Sequence, residues 1–113
     1  MSSEQPAMHT YVVEMWHEVL ASPLGNSKVR EFGHNVLRKR APQLMQELGI
    51  RQIGDYHLDP EHRAIMIYEA PSAETLRDFL YRSGFCAYVN ARIYPTRPLS
   101  EIARWIDGEP PMF

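Results

Sequence analysis

"DYHLDPEHRAIMIYEAPSAETLRDFL", residues 55–80, carries the clearest secondary-structure pattern of the chain. Its β-branched and aromatic residues predict two strands, over residues 50–58 and 63–70. The letters DPEH between them are typical of a tight turn, because proline presets the backbone at the second turn position. The apolar residues that follow recur at steps of three and four, which predicts a helix over residues 73–82. The stretch therefore predicts a β-hairpin that leads directly into a helix.

The flanking sequence predicts a strand and a helix before the hairpin, and a strand and a helix after its own helix. "HTYVVEMWH", residues 9–17, is rich in β-branched and aromatic residues and predicts the first strand. Residues 28–48 carry an apolar stripe that predicts a helix, which Pro42 should kink or split because proline lacks the amide donor. Residues 87–95 predict a fourth strand, and residues 99–106 predict a short last helix. The side chains of this helix expected to face the interior are Leu99, Ile102 and Ile106.

Polar side chains and glycines at the element ends support these boundaries. Asn26 or Ser27 is predicted to cap the first helix, and Ser72 the second, because their oxygens accept hydrogen bonds from the first helical amides. Gly49 and Gly84 are predicted to end the two helices, since glycine adopts a left-handed conformation at low cost. Both helices therefore have a recognisable beginning and end.

The order β-α-β-β-α-β, followed by one more helix, predicts an α+β domain of the ferredoxin-like type. Its antiparallel sheet carries the helices on one face only. Residues 9–106 are the predicted domain, residues 1–8 a loose N-terminal arm, and residues 107–113 a C-terminal tail; residues 18–27 form a long loop. Neither alternating set of side chains in the third strand is wholly polar. The uncovered face therefore predicts a homodimer packed sheet to sheet around a cavity, as a dimeric α/β barrel.

Composition narrows the classes of function. The chain has 113 residues, with 12 Lys and Arg against 14 Asp and Glu and a formal net charge of −2. This fits one domain and argues against a general nucleic-acid binder, which needs a basic face. The single cysteine, Cys86, excludes an intramolecular disulfide and is expected to be a small buried side chain. No signal-peptide pattern or membrane-length apolar run is present, so a cytoplasmic protein with no membrane partner is expected.

Two stretches resemble a known superfamily. "YVVEM", residues 11–15, and "IYEAPSAETLRDFLYRSGF", residues 67–85, resemble the dimeric α/β-barrel proteins, and the resemblance spans roughly residues 9–96. Within that superfamily the two stretches are similar to a group of small, mostly uncharacterised proteins that includes nickel-binding members. The resemblance implies a ferredoxin-like homodimer. It leaves the function open, because the superfamily includes monooxygenases, isomerases, cyclases, haem-degrading enzymes and simple binders.

Strand alternation predicts which side chains face the cavity. In the fourth strand Val89, Ala91 and Ile93 form an apolar set that should meet the helices, so the other set should face the cavity. An unpaired glutamate beneath the helices would be costly, so Glu14 is expected on the cavity side. Trp16 lies on the same face of the strand and is expected there too. The predicted cavity residues are Glu14, Trp16, Glu69, Asn90, Arg92 and Tyr94.

Two of the five histidines are predicted metal ligands. His17 ends the first strand and His57 ends the second, where they should border the cavity. Neutral imidazole suits Ni²⁺, Zn²⁺ or Cu²⁺, and Glu14 or Glu69 would complete a mixed site, with nickel or zinc the expected ion. His9 and His62 are expected at the surface or in a turn, and His34 away from the core.

Three functions therefore stay open. The first is a homodimeric binding protein that holds a small ligand or a divalent transition-metal ion in the sheet cavity. The second is a cofactor-independent enzyme of the monooxygenase, isomerase or cyclase type. In it a histidine would act as general base on a cyclic substrate oriented by Asn90, Arg92 and Tyr94. The third is a structural dimer with no site.

Overall fold

The computed structural model of the chain describes residues 7–18, 25–59 and 61–112. It is an α+β structure with one four-stranded antiparallel sheet, which confirms the predicted class. The elements are β1 (His9–Trp16), α1 (Ser27–Asn35), a π-helical segment (Val36–Arg40), α2 (Ala41–Leu48), β2 (Arg51–Leu58), β3 (Arg63–Ala70), α3 (Ala73–Ser83), a 3-10 turn (Phe85–Ala87), β4 (Asn90–Pro95) and α4 (Leu99–Gly108).

The sheet has the strand order β2-β3-β1-β4, and every neighbouring pair is antiparallel. The central strand β1 pairs Val13 with Met66 of β3 on one side and with Ile93 of β4 on the other. A register shift between Gln52 and Gly54 interrupts the pairing of β2 with β3. Side chains alternate between the two faces of a strand. Because of the shift, the side chains at the end of β2 lie on the face opposite to the one expected by counting from the start of the strand.

The core lies between the helices and one face of the sheet. Tyr11, Val13 and Met15 of β1 are buried there, while the intervening side chains are only half-buried. Tyr68 of β3 is fully buried and its hydroxyl donates to the Met66 sulfur at 3.2 Å. The remaining buried core side chains are Val36, Ala41, Ile50, Met66, Ala70, Leu76, Phe79, Leu80 and Phe85. Burial raises the pKa of Tyr68, so its phenol serves packing and stays neutral.

The first long helix is divided where the sequence predicted a break. Pro42 has no amide hydrogen, and its ring would crowd the carbonyl of Arg38 in a regular α-helix. The π-helical segment, Val36–Arg40, ends just before this position, and the amide of Ala41 donates to the carbonyl of Val36, five residues back. The wider turn accommodates the proline without ending the helical course.

The predicted caps are present. The Asn26 side chain accepts hydrogen bonds from the amides of Lys28 and Val29 at 3.1 and 3.2 Å, which selects Asn26 over Ser27 as the cap of α1. Ser72 accepts from the amide of Thr75 at 3.1 Å and caps α3. Gly49 and Gly84 end α2 and α3 with φ of 68° and 103°.

The last helix forms, but its predicted inward packing is wrong within one chain. Leu99 and Ile106 are 81% and 57% exposed, Ile102 is half-buried, and α4 has no buried residue. The apolar stripe is real, because these side chains recur at three- and four-residue steps, but the described part of the chain does not cover it. The helix also ends at Gly108, two residues beyond its predicted end.

Some predictions fall outside the described residues. These are most of the N-terminal arm, the greater part of the loop over residues 18–27, and the turn proline Pro60. Among the described helices, none has the length and apolar character needed to cross a membrane.

Candidate functional site

The six predicted cavity residues lie on the face of the sheet that the helices leave uncovered, which we call the open face. Its central row is Thr10, Val12, Glu14 and Trp16 of β1, the set that alternates with the buried core residues. Cross-strand pairing places Arg92 opposite Glu14, Asn90 opposite Trp16 and Tyr94 opposite Val12. Glu69 pairs with Thr10 from β3. The alternation predicted from the sequence is therefore correct for all six side chains, and their role stays a prediction.

Arg92 lies between two aromatic side chains on the open face. Its guanidinium carbon is 5.9 Å from the centre of the Trp16 ring, a cation–π distance, and its Nη1 donates to the Tyr94 hydroxyl at 3.4 Å. The hydrogen bond to Tyr94 is the main cause that raises the pKa of Arg92. This arrangement presents a positive charge and two flat apolar surfaces at one place.

The carboxylates of the open face are paired with other arginines. Glu14 Oε2 lies 3.8 Å from Nη1 of Arg63, and Glu69 Oε1 lies 3.5 Å from Nη2 of Arg51. Within the described residues, no carboxylate forms an ion pair with Arg92. Arg92 has Glu14 opposite it across the strands and is held by Tyr94 rather than by an ion pair.

The predicted metal site, in which Glu14 or Glu69 would join His17 and His57, is not assembled among the described residues of one chain. His17 and His57 line a cavity beside Met15 and Met66, core residues on the helix-covered side of the sheet. Glu14 and Glu69, the carboxylates expected to complete the site, lie on the open face. The register shift in β2 explains part of the error, because His57 pairs with Ala64 and faces the helices while Arg51 pairs with Glu69.

His62, expected to be an ordinary turn residue, lines the same cavity as His17 and His57. Its ring centre is 5.1 Å from that of His17, and its carbonyl accepts a hydrogen bond from the His17 amide at 3.2 Å. His62 directly precedes β3, which runs between β1 and β2. This position was the signal in the sequence that His62 could lie near His17 and His57. His9 and His34 are exposed, as expected.

Two observations limit the chemistry of the described residues. They contain no group of three or more His, Cys, Asp or Glu side chains arranged to hold a metal ion. Cys86 is only half-buried, which corrects the expected full burial, because the 3-10 turn keeps it at the rim of the core. Burial still raises the pKa of the Cys86 thiol, which disfavours the reactive thiolate.

Comparisons with known proteins bear on the fold alone. No protein-family model and no curated protein matches the chain. One similar solved structure, described as "Structure of the REP associates tyrosine transposase bound to a REP hairpin", has a TM-score of 0.51 at 12% identity, over 95% of this chain and 69% of that chain. Another, the uncharacterized protein TM1266 from Thermotoga maritima, has a TM-score of 0.37 at 12% identity, over 80% of this chain and 100% of that chain. The first likeness fits a small antiparallel α+β fold.

Proposed function

We propose that the protein is a homodimeric binding protein, a dimeric α/β barrel whose two open faces enclose a cavity for a flat organic anion. The observation that carries the proposal is the placement of Arg92 between Trp16 and Tyr94 on the face without helices. A guanidinium recognises carboxylate-type groups, and aromatic rings beside it contact the flat part of the same ligand.

The apolar centre of the open face supports dimerisation. Val12, Ile65 and Ile67 are neighbours across β1 and β3 and are only half-buried. Tyr56 of β2, which pairs with Ile65, is 64% exposed. A contiguous apolar surface of this kind, rimmed by charged residues, is typical of an interaction site.

The uncovered last helix supports the same proposal. Leu99, Trp105 and Ile106 of α4 are exposed and follow the spacing of one helix face. A second copy provides the missing cover most simply, because each chain then offers one amphipathic helix and one open face to the other.

Dimerisation would also select an anionic ligand. Arg92 is exposed in the single chain, where water screens its charge. Enclosing it between two sheets removes that water, and an enclosed cation needs a partner of opposite charge. Glu69 already pairs with Arg51, and Glu14, which lies opposite Arg92, is shared with Arg63, so an anionic ligand adds the negative charge that this cluster of arginines lacks.

The geometry favours binding over catalysis by a histidine base. Asn90, Arg92 and Tyr94, the residues expected to orient a substrate, lie on the open face. His17 and His57, the expected bases, line a cavity on the other side of the sheet. A base must be within hydrogen-bond reach of the proton it takes, and the sheet separates these groups.

Calorimetric titration with a matched pair of probes tests the proposal. We expect 2-naphthoate to bind the untagged protein at least about tenfold more tightly than neutral 2-naphthalenemethanol, since a charged hydrogen bond contributes about 1.5–3 kcal/mol. The Arg92→Ala variant should lose this preference for the anion. Arg38→Ala, in the π-helical segment, is the matched control and should bind like the wild type.

The binding measurements distinguish a site at Arg92 from a dimer without a site and from nonspecific anion binding. Equal affinity of Arg92→Ala and the wild type for 2-naphthoate would overturn the role of Arg92. No measurable binding of either probe by a protein that sediments as a dimer would favour the structural dimer without a site. Equal loss in Arg38→Ala would indicate nonspecific attraction of an anion by surface arginines.

A further inference from the structure

We propose that the outer face of α1 and of the π-helical segment after it binds a short acidic segment of a partner protein. Five of the 12 Lys and Arg of the chain lie within residues 26–40, together with only one of its 14 Asp and Glu. This region therefore carries a net charge of +4, which leaves −6 on the rest of the chain. A charge asymmetry of this kind is typical of a surface that binds an oppositely charged partner.

Three of these cations line one open groove, which we call the basic groove. It has a volume of about 680 Å³ and follows the helical course from Lys28 to Lys39. Lys28, Glu31, Asn35 and Arg38 recur at steps of three and four, so one side of the helical course presents them together. The other lining side chains are Phe32 and His34.

The cations of the basic groove are available to a partner. Lys28, Arg38 and Lys39 are exposed and form no ion pair with any residue that the structure describes. Arg40 differs, because its Nη2 donates to the carbonyl of Arg82 at 3.1 Å and so connects the π-helical segment to α3. A bound carboxylate would therefore give the three groove cations an ionic partner that the described part of the chain does not supply.

The basic groove stays accessible in the proposed dimer. The helical course turns Phe32 and Val36 towards the core, so its exposed side points away from the sheet. The open face, which the second copy would cover, lies on the other side of the same sheet. The two surfaces can therefore bind different partners at the same time.

The composition of the groove favours an acidic peptide over a nucleic acid. Glu31 lies among the cations, where it repels phosphates, which offer only acceptors, but accepts hydrogen bonds from peptide amides. Asn35 can both donate to and accept from a peptide backbone. Phe32 is half-buried and packs edge to face with Tyr88, with the ring centres 5.6 Å apart, so its ring serves packing rather than base stacking.

The length of the groove indicates the size of the segment. Lys28 and Lys39 are eleven residues apart, roughly 16 Å along a helix that rises about 1.5 Å per residue. An extended peptide covers this distance with about five residues. A longer polyanion would extend beyond the groove to a surface whose net charge is negative and would be repelled there. A short run of Asp or Glu therefore fits the groove better than a long one.

Fluorescence anisotropy with labelled peptides tests the groove. We expect hexaglutamate to bind the wild type at least about tenfold more tightly than hexaglutamine at about 50 mM NaCl, and to dissociate at about 500 mM, because salt screens exposed charges. Lys28→Ala, Arg38→Ala and Lys39→Ala should each raise the dissociation constant about two- to fivefold, as for an exposed ion pair. The matched control is Arg77→Ala, which removes an exposed cation from α3 and should bind like the wild type.

Further comparisons separate the groove from a folding defect, from the open face and from a nucleic-acid site. The three groove variants should keep the circular dichroism spectrum of the wild type, because their side chains are exposed. Arg38→Ala should leave 2-naphthoate binding unchanged, and Arg92→Ala should leave hexaglutamate binding unchanged, so either proposal can fail alone. No binding of hexaglutamate at low salt, or equal weakening by Arg77→Ala, would overturn the groove. Tighter binding of a single-stranded oligothymidylate with the same number of charges would overturn the peptide partner.

Discussion

Gly84 is the residue at which backbone conformation and packing constrain the sequence most tightly. Its φ is 103°, a region that side chains other than glycine rarely adopt, and a Cβ there would lie 3.0 Å from Phe32 Cζ and 3.1 Å from Val36 Cγ2. We expect Gly84→Ala to lower the free energy of unfolding by about 3 kcal/mol, from backbone strain and overpacking together. Urea denaturation followed by circular dichroism measures this change.

Gly49 offers the matched control for the packing part of that loss. Its φ is 68°, also in the left-handed region, but a Cβ there would meet nothing within 4 Å. Gly49→Ala should therefore cost only the backbone strain, about 1 kcal/mol. If both variants lost the same stability, the contact of Gly84 with Phe32 and Val36 would have no energetic weight.

The sequence predicted correctly which face of the sheet a side chain lies on in the regular strands, and failed where a strand has a register shift. Glu14 and Arg92 lie on the open face because β1 and β4 alternate without interruption. His57 lies opposite the face expected from the start of β2, because the register shift between Gln52 and Gly54 changes the parity. Gly54, an isolated glycine inside β2, was the available signal for that shift, because such a glycine is typical of a β-bulge. The same limit applies to His62, whose direction depends on how the preceding turn joins β3.

Helix α3 depends on its N-cap, and this can be measured. The Ser72 hydroxyl accepts from the amide of Thr75 at 3.1 Å and lies 2.9 Å from the Thr75 hydroxyl. Ser72→Ala should lower the free energy of unfolding by about 1 kcal/mol, because the first amides of the helix lose an acceptor. Thermal unfolding at fixed pH should show the loss as a lower midpoint.

Two substitutions make this prediction specific to capping. Ser72→Asp keeps an oxygen acceptor at the cap and should remain close to the wild type. Ser100→Ala removes an exposed serine from α4, where Pro98 holds the cap position without a side-chain hydrogen bond, and should change the unfolding free energy by less than about 0.5 kcal/mol. A Ser72→Asp variant as unstable as Ser72→Ala would contradict the capping role.

Element boundaries followed from the sequence more fully than element packing. Caps and glycines marked α3 correctly because local chemistry sets where a helix starts and stops. Pro42 marked a break, but the sequence did not predict that a π-helical segment, Val36–Arg40, would absorb it. For α4 the periodicity predicted an apolar face and could not identify its cover, since a stripe shows that burial is required without showing against what.

The chain is flat, as we expect for one half of the proposed dimer. Its shortest dimension is 18 Å, the thickness of one helix layer on one sheet. The radius of gyration is 17.3 Å, whereas a compact domain of this length has about 13 Å. The open sheet face and the amphipathic helix α4 are both uncovered in the single chain, and a symmetric dimer would cover both.

Sedimentation velocity over a concentration series tests the dimer and the part of α4 in it. We expect the wild type to be a dimer at micromolar concentration. Trp105, 63% exposed in the single chain, should be buried against the second copy. Trp105→Ala should therefore weaken association by about 2 kcal/mol, roughly a 30-fold rise in the dissociation constant, as for a central aromatic side chain of an interface.

Arg104→Ala on the same helix is the control for that variant, because it removes an exposed charge next to Trp105 and keeps the apolar stripe. It should leave the dissociation constant within about threefold, as expected for a charge at the rim. A wild type that sediments as a monomer at these concentrations would reject the dimer outright. A dimer that Trp105→Ala does not weaken would keep the sheet-to-sheet interface and exclude α4 from it. The open face alone would then have to supply the apolar contact, through Val12, Ile65 and Ile67.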